Sequence, residues 1–248
     1  MILLGVFLAC AVAFTLALGR AGLRNPAPAG GGAAGQPPAR VLIVGASGGT
    51  GRELVEQALA RGLAVTAFVR DPTRLGLTHP RLTIAQGDVL DAAGVAAAMR
   101  GQEAVLCALG HKRYFGPTRI LSTGTANILR AMEACGTRRL VCETSLGIGG
   151  SAGRMGLAYT LFVLPVILPF YFWDKTRQEQ LVAGSKVEWV IVRPAALTNG
   201  GARGRWRAGP GVGNCVLTGR IGRADTAAFM LDQLTCDDHL GTAVGVTW

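Results

Sequence analysis

Residues 45–51 read Gly-Ala-Ser-Gly-Gly-Thr-Gly. Glycines at this spacing suit one task. Gly45 allows a tight turn, Gly48 lets the backbone approach a pyrophosphate, and Gly51 lets a following helix pack close to the preceding strand. Gly49 belongs to the same turn, and Ser47 and Thr50 can add hydroxyl donors. A helix opening here aims free N–H groups and the positive end of its dipole at a phosphate. A purely structural glycine turn is the alternative, and context separates the two. Residues 40–45, Arg-Val-Leu-Ile-Val-Gly, form a short apolar strand. Residues 52–61 form a helix with Leu54, Val55, Ala58 and Leu59 on one side. Strand, glycine turn and helix together read as a dinucleotide site.

The second strand, 64–69, ends at Arg70, followed by Asp71, Pro72, Thr73 and Arg74. An NAD site places an acidic residue about 20 positions on, where it binds the ribose 2′-hydroxyl. A guanidinium there suits the dianionic 2′-phosphate of NADP, through charge-assisted hydrogen bonds. The expected cofactor is therefore NADP(H). Asp71 argues the other way, yet it sits one residue late and, before Pro72, starts a turn. Arg70 as a plain exposed strand-end charge stays open.

Positioning these groups requires alternating elements. Strands are expected at 81–86, 104–109, 138–144 and 187–192, with helices at 92–100 and 118–135. Such alternation implies an α/β fold, a Rossmann-type doubly wound parallel sheet, here a single domain over residues 41–248. Ligands then bind beyond the carboxyl ends of the strands. Asp88, Leu109, Gly110, Ser145 and Pro194 all fall at such ends.

Composition narrows the function classes. Charged residues make up only 16% of the chain and hydrophobic ones 50%, which points to membrane contact. The net charge of +10 comes almost wholly from arginine, and the lysines are Lys112, Lys175 and Lys186. The arginines are scattered, without a dense basic block or zinc-finger spacing, so no nucleic-acid partner is expected. Arg203, Arg205 and Arg207 around Trp206 read first as a solvated loop, and His111 as a surface histidine. None of the six cysteines forms a C-x-x-C pair, so no metal site is expected.

Residues 2–18 are apolar and uncharged, near the short limit for a spanning helix. No charge precedes this run, and Arg20 and Arg24 follow it. Residues 1–24 thus read as a retained hydrophobic anchor with the domain facing the cytoplasm. A signal segment, with export after cleavage, is the alternative. Residues 25–40, rich in Gly, Ala and Pro, read as a flexible linker. A second uncharged run covers residues 155–173, with Pro165 and Pro169 breaking any simple helix. A span there would cut the domain between Ser145 and the strand at 187. An apolar lid over the substrate, or a segment resting on the bilayer, fits better.

Taken in order, GASGGTG, VRDPTR at 69–74, GDVLD at 87–91, ALG at 108–110, Thr144-Ser145, EWVIVRPAALTNG at 188–200 and GRADTAAF at 222–229 resemble the atypical short-chain dehydrogenases. The likeness is to the NAD(P)H-binding, NmrA-like group that includes biliverdin reductase B (flavin reductase). It implies that Arg70 and Arg74 hold the 2′-phosphate, Asp88 and Val89 border the adenine, and Leu109 and Gly110 line the ribose side. It also implies that Pro194 to Leu197 approach the nicotinamide. Members with a full reaction centre combine Ser, Tyr and Lys, with Tyr four residues before Lys on one helical face. The lysine lowers the tyrosine pKa, and the tyrosine protonates the substrate during hydride transfer. Ser145, Tyr171 and Lys175 match that pattern. Tyr171 also lies among Phe170, Phe172 and Trp173, so a packing role stays open. The resemblance implies an NADPH-dependent oxidoreductase acting on a small, fairly apolar acceptor of the flavin, quinone or carbonyl class. The alternative is a non-catalytic NADP(H)-binding redox sensor or assembly factor.

Overall fold

Short, buried apolar strands make the centre of the molecule. The computed structural model describes residues 2–23 and 37–248; the linker expected at 25–40 lies, apart from residues 37–40, outside the described residues. The strands β1 (Arg40–Val44), β2 (Ala64–Val69), β3 (Leu82–Gln86), β4 (Ala104–Cys107), β5 (Arg139–Glu143) and β6 (Glu188–Pro194) are mutually parallel neighbours. Two small strands, β7 (Ala196–Thr198) and β9 (Arg220–Gly222), pair on their own; β8 (Arg207–Gly209) and β10 (Thr242–Thr247) extend the main sheet. The main sheet has eight strands in the order β3-β2-β1-β4-β5-β6-β10-β8, with β8 antiparallel at the edge. Strand order reverses between β1 and β4, and that crevice is where a doubly wound sheet binds its ligand.

Helices cover both faces because β1, β4, β5 and β10 are buried almost throughout. On one face, α2 (Gly49–Ala60) packs on α6 (Arg223–Asp232), and Leu54, Val55, Phe229 and Met230 fill the layer. On the other, α3 (Ala92–Met99), α4 (Ile120–Cys135) and α5 (Pro169–Ala183) contribute Val95, Met99, Ile128, Met132 and Val182. The fold is therefore the doubly wound α/β sheet anticipated from the alternation. The strands β7 to β10 and the helix α6 were not anticipated; their segments are short and carry weak periodicity.

Two apolar segments take a form the sequence reading missed. The helix α1 (Ile2–Ala21) was set apart from the domain, yet its second half packs on it. Ala11 and Leu18 are fully buried, and Leu18 meets Ile148, Leu164 and Phe172. Gly19 and Gly22 permit close approach: a Cβ on Gly22 would stand 2.4 Å from Gly149. The run at 155–173 divides at Pro169, not at Pro165. Tyr159–Ile167 is a π-helix containing Pro165, and Pro169 opens α5, so Tyr171 belongs to the first turn of α5.

Candidate functional site

The glycine loop joins β1 to α2. Gly45 has φ +84°, and a Cβ there would lie 2.5 Å from the Ala108 carbonyl oxygen. A Cβ on Gly51 would lie 2.1 Å from the Gly45 oxygen, so close strand–helix packing forbids one. Gly48 differs. Its φ of −77° suits any residue, and a Cβ would meet only the Gly45 oxygen, at 3.2 Å. Its outer side is open, as close approach of a pyrophosphate requires. Gly48 and Gly49 are exposed and Ser47 is half-buried. Thr50 is buried, and its hydroxyl donates to Glu143 Oε1 at 3.1 Å rather than facing a phosphate.

At the β2 end, Arg70 and Arg74 are both exposed; Arg70 precedes the short 3-10 turn Pro72–Arg74, and Arg74 ends it. Asp71 caps that turn, accepting from the Thr73 backbone N–H and hydroxyl at 3.1 and 2.6 Å. The Thr73 hydroxyl bond, chiefly, holds its carboxyl below the usual value. Asp71 is thus a local turn-former. Past β3, Asp88 accepts from Leu90 N–H, and Val89 is buried with its carbonyl taken by Asn127. Arg70, Arg74, Asp88 and Val89 therefore share the β1–β2–β3 side of the crevice.

On the other side, Leu109 and Gly110 follow β4, Ser145 follows β5, and Pro194 ends β6. Leu146 N–H donates to the Pro194 carbonyl at 3.0 Å, which keeps Ser145 and Pro194 on adjacent ends. The Tyr171 hydroxyl stands 3.5 Å from where a Gly110 Cβ would lie. Tyr171 is half-buried: its hydroxyl faces Gly110, and its ring packs against the Leu18, Ile148, Leu164 and Phe172 cluster. The Lys175 ammonium lies 5.4 Å from the Tyr171 ring centre and donates to the Glu143 carbonyl at 3.3 Å. Burial lowers its pKa, and the fields of Tyr171, Glu143, Cys142 and Cys107 together outweigh burial and hold it above the ordinary lysine value.

Asp174, between these two residues, went unnoticed in the sequence. It is fully buried and caps α4, accepting from Leu121 N–H at 2.9 Å, Ser122 N–H at 3.2 Å and the Ser122 hydroxyl at 2.5 Å. It fixes α5 against α4 and so sets where Tyr171 points. His111 is not a free surface residue. Its ring packs edge-on at 4.9 Å from the Tyr171 centroid, and Nε2 bonds Thr118 at 3.0 Å. Burial lowers its pKa.

Three further groups also escaped notice. Arg223, the first residue of α6, lays its side chain across Gly49: a Cβ on Gly49 would stand 2.5 Å from Arg223 Cδ and Nε. Its guanidinium donates to the Asn199 side-chain oxygen. A signal existed, because a cation in a helix's first turn opposes the dipole and so implies a tertiary partner. Burial pushes the Glu143 carboxyl up, with Lys175, Thr50 and Arg223 pulling against it. Behind the site, Arg193 and Glu179 form a buried ion pair at 2.6 Å, and Thr144 donates to Glu179 at 2.7 Å. The arginines around Trp206 are partly engaged: Arg203 lies over the Trp248 ring at 3.5 Å. Among the described residues, no group of three or more His, Cys, Asp or Glu could hold a metal.

Comparison with known proteins agrees with this geometry. A family model described as NAD(P)H-binding matches residues 45–237. The 3-diazoavenalumate denitrifying reductase of Streptomyces sp is 32% identical over 227 residues, covering 83% of this chain and 71% of that protein. An uncharacterized chloroplast protein of Arabidopsis thaliana is 32% identical over 175 residues, covering 64% of this chain and 60% of its own length. Among solved structures, ChuY, an anaerobillin reductase from Escherichia coli O157:H7, aligns with TM-score 0.68 at 23% identity, over 84% of this chain and 96% of that one. A short-chain dehydrogenase/reductase from Veillonella parvula in complex with NADP aligns with TM-score 0.70 at 18% identity, over 85% and 95%. These two structures speak for the fold. With the family match spanning most of the domain, the chain belongs to the NAD(P)H-binding family, and it shares the Rossmann-type fold of the aligned structures.

Proposed function

We propose that the protein is a membrane-attached, NADPH-preferring reductase of a small, fairly apolar acceptor, of the flavin, quinone or carbonyl class. The carrying observation is the Tyr171 hydroxyl over Gly110 with the buried Lys175 ammonium beneath its ring. The residues fit a dinucleotide: the loop is open at Gly48, and Arg223 spans Gly49. In this reading, Arg70 and Arg74 hold the 2′-phosphate, Arg223 pairs with the pyrophosphate, and Asp88, Val89, Leu109 and Gly110 border the adenosine. A bound nicotinamide supplies the hydride. Tyr171 hands a proton to the acceptor, and the Lys175 charge favours the phenolate left behind. Ser145 and Pro194 line the acceptor side, and Phe172 and Leu164, packed behind, help keep water out. The helix α1, with mean hydropathy 2.0 over Leu3–Ala21, provides the membrane attachment.

The test is an acceptor screen of the full chain in detergent, following NADPH absorbance with flavins, quinones and carbonyl compounds. Oxidation by one of these classes, faster with NADPH than NADH, is the expected result. Tight NADPH binding without turnover of any class would instead mark a cofactor sensor.

A further inference from the structure

The membrane attachment proposed above has a geometric consequence. We propose that α1 and the π-helix Tyr159–Ile167 enter the bilayer as one unit. The reaction site would then open at the lipid surface, and the domain would not hang from a free anchor.

Residues 3–10 of α1 are exposed on every side. From Ala11 onward the helix is docked. Gly150 N–H donates to the Leu23 carbonyl at 2.9 Å, Gln180 donates to the Ala21 carbonyl at 2.6 Å, and Arg193 Nη2 reaches the Leu23 carbonyl at 3.4 Å. At 1.5 Å per residue, the projecting part is only about 12 Å long. A hydrocarbon core is about 30 Å thick. Residues 3–10 alone therefore do not span it, and any deeper entry of the docked α1 carries its neighbours along. The neighbour it touches most is the π-helix. Residues 155–173 carry no charge, and Leu157, Phe162, Val166 and Phe170 are exposed there. Exposed apolar side chains thus stand on two helices that pack on each other.

The rim of this surface suits headgroups. The loop after β4 presents exposed Lys112 and Arg113 beside Phe115, which is 86% exposed. That loop packs on the reaction centre through His111 and Tyr114, both edge-on to Tyr171. Basic and aromatic residues at the border of an apolar face match an anionic membrane surface, as does the net charge of +10. The occupant of the face is therefore an anionic phospholipid bilayer, and an apolar acceptor dissolved in it reaches Tyr171 without crossing water.

The experiment reconstitutes the full chain in phosphatidylcholine–phosphatidylglycerol vesicles. A photo-crosslinking phenylalanine analogue replaces Phe7, Phe162 or, in the loop before β10 at the amino ends of the strands, Asp238. Lipid adducts are read as a mass increment, which is independent of turnover. Adducts at both Phe7 and Phe162, with none at Asp238, are expected. Adducts at Phe7 alone would leave the attachment standing and overturn the joint insertion. Adducts at neither phenylalanine would overturn the attachment as well. Charge reversal at Lys112 and Arg113 is expected to reduce the Phe162 adduct yield in anionic vesicles. An unchanged yield would refute the headgroup contact.

Discussion

Arg223 offers the sharpest test of how the cofactor is held. Its side chain crosses Gly49, and Asn199 bonds the guanidinium above the loop proposed to receive the pyrophosphate. Replacement by Gln keeps a side chain of similar reach that can still bond Asn199, and removes the charge. A hydrogen bond to a charged group is worth about 1.5–3 kcal/mol. At about 1.4 kcal/mol per tenfold, Kd should rise roughly 10- to 150-fold. Both NADPH and NADH carry the pyrophosphate, so both should weaken by the same factor. Arg70→Ala is the contrast: it should weaken NADPH and leave NADH unchanged, because only NADPH has the 2′-phosphate. The assay is calorimetric titration of both cofactors into the full-length protein and its two variants, with circular dichroism as the check on folding. A loss confined to NADPH in Arg223→Gln, or no loss at all, would refute the pyrophosphate contact.

The remaining predictions concern the reaction centre and α1. Tyr171→Phe should reduce turnover on the order of 100- to 10,000-fold, with the NADPH Kd unchanged; a fully active Phe variant would return Tyr171 to a packing role. His111 has its pKa held below the ordinary 6.5, so the fold favours the neutral ring. Its stabilising contribution is present above about pH 6.5 and is lost as pH falls towards the lowered value. His111→Gln should therefore show a shallower fall in Tm between about pH 7 and pH 5 than the parent; parallel curves would count against the assignment. Leu18 is fully buried against Ile148, Leu164 and Phe172, so Leu18→Ala should cost about 2–5 kcal/mol in the unfolding of the solubilised protein. A silent change would mean that α1 is not seated.

Legibility from the sequence followed the length scale of each signal. The glycine loop, the β2 end at Arg70 and the Asp71 turn are local signals, carried by residues adjacent in the chain. Tyr171 and Lys175 were visible as a spacing, but which way Tyr171 faces depends on Asp174 gripping the start of α4, a contact across 52 and 53 positions. Arg223 reaches Gly49 only because α6 packs on α2, a tertiary event with no local mark except the cation against the helix dipole. The seating of α1 was invisible for a different reason. Its helix is apolar all round, so no stripe in the sequence distinguishes the face turned to protein.

The contact between Leu23 and Arg193 joins residues 170 positions apart. In synthesis, α1 therefore exists long before β6, which carries the arginine. A hydrophobic helix with no domain yet to receive it has the bilayer as its available apolar surroundings. If the bilayer holds α1 in that interval, as proposed above, the sheet assembles beside a lipid surface and takes up α1 after β6 has formed, a closure of high contact order and correspondingly slow. Until that closure, Ile148, Leu164 and Phe172 lack the cover of Leu18 and form a sticky patch. Biogenesis at the membrane would shield that patch during the interval, whereas refolding from a denatured chain in water would leave it open to aggregation.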